Sequence, residues 1–272
     1  MTVPTIALTA PVGPADAPLL VLGPSLGTST ILWENALPIL AETFRVVAWD
    51  LPGHGASPAA TEAFTVADLA DAVADAVRAF GVDRILYAGV SLGGATGLEL
   101  GLRHPKLVSA LAIVASGAQL GSPESWRERA ATVRAQSTSV LIIPSAQRWF
   151  APGSMEREPE LSGRLLHALR DADAQSYALC CEALAAYDVR DRLGELGMPV
   201  VALWGEHDEV APETKAAEVA SGVADGRAEM IAGVAHLPPA EAPAATAAAL
   251  LAFFASVSDV ADAADASEGE RA

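Results

Sequence analysis

Residues 85–94 read Ile85-Leu86-Tyr87-Ala88-Gly89-Val90-Ser91-Leu92-Gly93-Gly94. The first five are a short apolar run that suits a buried strand. A helical stretch opens at Leu92 and closes at His104-Pro105, where proline stops it. Between the two lies Gly89-Val90-Ser91-Leu92-Gly93, a G-x-S-x-G pentapeptide on a strand-to-helix turn. A serine on so sharp a turn needs small neighbours, and Gly89, Gly93 and Gly94 supply them. Its hydroxyl then stands clear of the sheet, at the positive end of the helix dipole. The bland reading is an N-cap serine at a glycine-rich helix entry. The strand–turn–helix context favours a nucleophile.

Outward from this turn, strands and helices alternate. Thr5–Thr9, Leu19–Leu22 and Arg45–Trp49 read as strands. Thr65 caps a helix whose Val66, Leu69, Val73, Val77 and Phe80 recur at steps of three and four. Val108–Ala115, Pro199–Trp204 and Ala228–Ile231 read as further strands, Pro212–Ser221 and Pro239 to about Ser256 as helices. Alternation with near-continuous apolar strands predicts an α/β fold with a mostly parallel sheet covered on both faces. Such sheets place their sites beyond the carboxyl ends of the strands. Residues 117–194 lack strand signals and read as a helical lid inserted between core segments 1–116 and 195–256. Residues 257–272 carry five acids and one arginine and read as a solvated, disordered tail.

A serine hydroxyl needs a base, and the base an orienting acid. Of five histidines, His104 closes a helix, His54 sits in a loop after a strand and His167 lies in the lid. His207 directly precedes an acid. His236 follows the last strand on a loop and is the candidate base. Glu206 and Asp208 both have the chemistry of the acid, and the strand-end loop favours Asp208. The order is then serine, acid, histidine. An oxyanion would need two aimed amides. Leu92, after the nucleophile, offers one. Leu26, in the loop Gly23-Pro24-Ser25-Leu26-Gly27-Thr28, is the candidate for the other.

Composition narrows the partners. The chain has 272 residues and a formal net charge of −17, half of them hydrophobic (51%). That charge repels phosphate and so argues against nucleic acid or an anionic membrane. The two cysteines, Cys180 and Cys181, are adjacent and cannot form a zinc site alone. No apolar stretch reaches the length of a membrane span, and no signal-peptide pattern opens the chain. A cytoplasmic protein acting on a small molecule is the expectation, with monomer and small homo-oligomer both open.

These residues resemble the α/β-hydrolase superfamily over roughly residues 1–256. Its Asp-x-x-Gly-x-Gly-x-Ser loop matches Asp50 to Ser57. More narrowly the chain resembles the 3-oxoadipate enol-lactonases of the β-ketoadipate pathway. The matching pieces are Ser25-Leu26-Gly27-Thr28 followed by Trp33, Arg148-Trp149-Phe150, Cys180-Cys181-Glu182-Ala183-Leu184 and His236-Leu237-Pro238-Pro239. Pro24-Ser25 stands where many relatives carry His-Gly. The resemblance implies hydrolysis of a small carboxylated enol lactone through an acyl-enzyme on Ser91, without metal or organic cofactor. A substrate carboxylate would need a cation, and Arg148, then Arg134, are the candidates. Trp149 and Trp33 are candidate pocket walls, and Cys180 and Cys181 read as packing residues of the lid. A carboxylesterase, a C–C bond hydrolase, a cofactor-free haloperoxidase or perhydrolase, and a slow-turnover ligand sensor share the same core residues and stay open.

Overall fold

The computed structural model describes residues 2–269, with side-chain surroundings described as far as Val257. Six strands form one parallel sheet in the order β2-β1-β3-β4-β5-β6. They are β1 (Leu19–Gly23), β2 (Arg45–Ala48), β3 (Ile85–Val90), β4 (Val108–Val114), β5 (Val200–Gly205) and β6 (Gly226–Ile231). The central β1 and β3 are buried along their whole length, as Leu/Val/Ile runs between two helical layers must be. β6 is the exposed edge, with only Ile231 buried.

The other edge corrects an expectation. Thr5–Thr9 does not form a strand. Leu8 and Val12 make single antiparallel bridges to Trp49 and Val46, and Thr9 donates its amide to Ala48 at 2.8 Å. Pro11, lacking an N–H, sits between the two bridging residues and prevents a continuous ladder. The segment still covers the open side of β2.

Helices α1 (Leu37–Leu40), α2 (Val66–Arg78) and α3 (Leu92–Arg103) belong to the core. Thr65 opens α2 with a reciprocal cap: its hydroxyl accepts from the Asp68 amide at 3.1 Å, and Asp68 accepts from the Thr65 amide at 2.8 Å. α2 packs on α3, and α3 packs on β1, β3 and β4. Between β4 and β5 the chain is helical: α4 (Pro123–Gln136), α5 (Ile142–Trp149), α6 (Ser154–Arg157), α7 (Pro159–Asp171) and α8 (Ala174–Ala186), with 3-10 turns at Thr138–Leu141 and Arg190–Glu195. The largest packing inside this helical insertion, labelled the lid from its place between β4 and β5, joins α4 to α8.

The core resumes with α9 (Glu213–Gly222), α10 (Pro238–Glu241) and α11 (Pro243–Gly269). The final helix runs past Ser256 to Gly269 instead of ending near it. Its alanine-rich sequence has high helix propensity and explains the continuation. The expected solvated tail lies largely outside the described side chains, and residues 270–272 outside the described residues altogether. Among the described residues no helix is long and apolar enough to cross a membrane.

Candidate active site

Ser91 stands between β3 and α3 with φ 54° and ψ −115°. A positive φ in a non-glycine residue is strained, and surrounding bonds hold it. Its amide donates to Val114 at 2.9 Å, and the Ser116 hydroxyl donates to its carbonyl at 2.7 Å. The turn also requires bare backbone nearby. A Cβ on Gly89 would lie 2.3 Å from the Gly93 carbonyl, and one on Gly93 would lie 2.6 Å from the Pro24 carbonyl. The G-x-S-x-G spacing is thus a steric demand of this crossing.

Asp208 and His236 come from the loops after β5 and β6. His236 Nδ1 lies 2.9 Å from Asp208 Oδ2, and both side chains are sealed from solvent. A carboxylate only accepts, so the imidazole carries its proton on Nδ1 and leaves Nε2 open. The other oxygen, Asp208 Oδ1, accepts from the amides of Val210 at 2.7 Å and Ala211 at 3.1 Å. Burial pushes this carboxyl's pKa up, but His236 and the two amides together outweigh it and hold the group below the usual carboxylate range. Glu206 is engaged elsewhere, accepting from the Gly233 amide at 2.8 Å. Asp208 is therefore the acid that meets the imidazole.

Ser91 and His236 line one cavity of about 200 Å³, together with residues of the helical segment between β4 and β5. Ser25 and Leu26 contribute from the core; Trp126, Arg129, Arg148 and Trp149 contribute from α4 and α5. Neither Leu26 nor Leu92 finds a hydrogen-bond acceptor for its amide among the described residues. Leu92 is the first residue of α3, where a helix leaves its N–H groups unpaired.

Of the expected pocket residues, Arg148 and Trp149 face the cavity and two others do not. Trp33 is fully buried and donates its indole N–H to the Gly23 carbonyl at 3.0 Å, so it is a core residue. Arg134 points along the lid surface. It bonds Glu182, one contact at 3.1 Å, and Gln175 at 2.9 Å, and so ties α4 to α8. The acid on the neighbouring helix captures this arginine before a substrate could. Cys180 and Cys181 are free and buried on α8.

Two residues at the site escaped the sequence reading. Arg129 lines the cavity on α4, with its guanidinium 4.9 Å from the Trp126 ring centroid. The spacing from Trp126 to Arg129, one helical turn, was the available signal. Glu241 holds the His236 loop: Oε1 accepts from the Ala235 amide at 2.8 Å and Oε2 from the Ala151 amide of the lid at 2.6 Å. The His236 amide in turn donates to the Trp149 carbonyl at 3.1 Å. Among the described residues no cluster of three or more His, Cys, Asp or Glu side chains offers a metal site.

The chain is similar to known proteins along most of its length. A family model described as alpha/beta hydrolase fold matches residues 18–243. The 3-oxoadipate enol-lactonase 2 of Acinetobacter baylyi is 33% identical over 198 residues, covering 73% of this chain and 74% of that one. The putative carbamate hydrolase RutD of Variovorax paradoxus is 30% identical over 224 residues, 78% of this chain and 82% of that one. Among solved structures, the enol-lactonase from Burkholderia xenovorans LB400 superposes with a TM-score of 0.88 at 29% identity, covering 92% of this chain and 96% of that one. With this sheet, this serine turn and these matches together, the chain belongs to the α/β-hydrolase family.

Proposed function

We propose that the protein is a serine hydrolase that opens a small carboxylated enol lactone, with 3-oxoadipate enol-lactone as substrate and 3-oxoadipate as product. The observation that carries this reading is the sealed Asp208–His236 pair, 2.9 Å apart, opening onto the cavity that Ser91 lines. Similarity to two enol-lactonases supports the substrate class.

In this reading Ser91 Oγ attacks the ring carbonyl while His236 Nε2 accepts its proton. Asp208 keeps the other ring nitrogen protonated and stabilises the imidazolium. The amides of Leu26 and Leu92 receive the developing oxyanion. Collapse breaks the ring C–O bond, and His236 returns the proton to the enol oxygen. The enol is still tethered to the acyl-enzyme, and its ketonisation removes it as a nucleophile. Water, deprotonated by His236, then attacks the acyl carbon and releases Ser91.

Arg129 and Arg148 supply the cations for the substrate carboxylate. Neither has a carboxylate partner among the described residues, whereas Arg134 and Arg164 do. Cations without a carboxylate partner in the cavity wall of a chain with charge −17 favour an anionic substrate. The similarity to carbamate hydrolases favours a second reading, in which the same serine attacks a carbamate carbonyl.

The deciding experiment follows loss of enol-lactone absorbance with wild type and Ser91→Ala side by side, with aryl esters and carbamates in parallel. Rapid, serine-dependent lactone opening is expected. Preferential carbamate cleavage would transfer the assignment to the second reading. Stoichiometric product with a ligand-induced stability shift would make the protein a sensor.

A further inference from the structure

The loop Asp50–Ser57 is heavily braced for a connection outside the catalytic trio. Asp50 accepts from the Thr30 amide at 2.7 Å and the Ala56 amide at 2.8 Å, and Ser57 donates to the Asp50 carbonyl at 2.7 Å. Gly53 sits so tightly under the lid that a Cβ there would fall 2.4 Å from Ser176 on α8. At the tip of this loop His54 is 2% exposed. Its Nδ1 lies 2.9 Å from the Pro52 carbonyl, and its Nε2 lies 3.3 Å from the Gly27 amide. A carbonyl cannot donate and an amide N–H cannot accept. The two contacts therefore demand the neutral ring with its proton on Nδ1.

Gly27 follows Leu26 directly. It has φ 85°, and Leu169 and Tyr177 of the lid crowd its open side. The rest of the loop is pinned by the Ser25 amide, which donates to Thr28 Oγ1 at 3.1 Å, and by the Thr28 amide, which donates to the Ser25 carbonyl at 3.0 Å. The amide of Leu26 alone is left without an acceptor among the described residues. The Leu26 N–H lies in the Ser25–Leu26 peptide plane, one Cα away from the Leu26–Gly27 plane whose N–H His54 holds, so fixing the second plane constrains the first through the backbone dihedrals of Leu26.

We propose that His54 is a positioning residue: as the neutral Nδ1–H tautomer it tethers the Gly27 amide and so aims the Leu26 amide at the substrate carbonyl oxygen. This rests on the serine-hydrolase reading for the role of Leu26, while the tether itself does not. The surroundings keep the ring neutral. Burial pushes its pKa down to about 4, against the pull of the Pro52 carbonyl and of Asp173, which caps α8. Tyr177 of that helix stacks on the ring, with centroids 6.0 Å apart. A histidine serves here because one ring presents a donor and an acceptor in opposite directions at fixed separation.

The test compares His54→Gln with His54→Met. Both side chains are unbranched and of similar reach, but only glutamine offers Gly27 a strong acceptor, the methionine sulfur being a weak one. The reaction is hydrolysis of p-nitrophenyl acetate, assayed well below the melting temperature of the less stable variant. His54→Met is expected to lower kcat by about 10- to 100-fold with KM within about twofold, and His54→Gln to stay within about threefold of wild type. Equal losses in the two variants, or an unaffected methionine variant, would overturn the proposal. A second arm needs no turnover. A long-range nitrogen–proton spectrum of the wild type at pH 7 is expected to show Nδ1 protonated and Nε2 bare. A proton on Nε2 would overturn the tether. If wild-type protein hydrolyses neither lactone nor ester, the functional reading fails, and the spectrum still decides whether His54 holds Gly27.

Discussion

Asp208 meets His236 across 28 positions of chain with both side chains closed to water, and its second oxygen is saturated by two amides of its own loop. The carboxylate is thus held by its own loop as well as by the imidazole. Asp208→Asn keeps the shape but offers an amide where the carboxylate stood, which releases the imidazole to its other tautomer. A loss in kcat on the order of 10³- to 10⁴-fold is expected, with KM little changed. Steady-state kinetics on the enol lactone checks this. A loss under tenfold would remove the orienting role.

Arg148 and Arg134 make a contrasting pair. Arg148→Ala should raise KM for the carboxylated lactone by about 10- to 100-fold, the value of a charge-assisted hydrogen bond, and leave KM for a neutral ester near that of wild type. Arg129→Ala should behave alike. Arg134→Ala removes an exposed ion pair from the lid surface, so KM should not move and stability should fall by about 1 kcal/mol or less. Equal KM effects on charged and neutral substrates would dismiss Arg148 as the anchor.

Glu241 accepts from amides on both the His236 loop and the lid. Glu241→Ala strands those donors in a partly buried place, at about 1–3 kcal/mol for each group left unpaired. Urea denaturation should show a lowered midpoint. A fall in kcat should accompany it, because the imidazole loop loses its anchor.

His54 sets a pH dependence of stability. Its folded-state pKa of about 4 lies below the ordinary 6.5, so between those values the unfolded chain binds a proton that the folded one refuses. Stability from this group is complete above pH 6.5 and drains away as the pH falls toward 4. The full effect is on the order of 3 kcal/mol, taking about 1.4 kcal/mol per unit. Thermal melts at pH 7 and pH 4.5 should differ more in wild type than in His54→Gln. Parallel curves would show that the ring titrates as it does in water.

Legibility in the sequence followed the range of the interactions. Ser91 was readable because the strand, the glycines and the helix that strain its turn all lie within ten residues. Asp208 and His236 were readable by their places after strands, although only their contact separates Asp208 from Glu206. Arg148 interrupts an apolar segment and could be singled out on that ground. Arg134 and Trp33 could not be judged, since a glutamate 48 positions away captures one and a carbonyl of β1 the other. Glu241 was hidden for the same reason, because its lid partner lies 90 residues upstream. Thr5–Thr9 had a strand's composition but a proline at the point where pairing would have to continue.

The bonds joining His236 to Trp149 and Glu241 to Ala151 tie the helical insertion to the loop that carries the His236 imidazole. An engineer grafting residues 117–194 onto a relative, to transplant substrate preference, would import a cap whose stitches have nothing to hold. The graft has to travel with segment 235–241, as one module joined through space. Designs that treat the cap as an exchangeable cassette would inherit its pocket and lose the alignment of the imidazole beneath it.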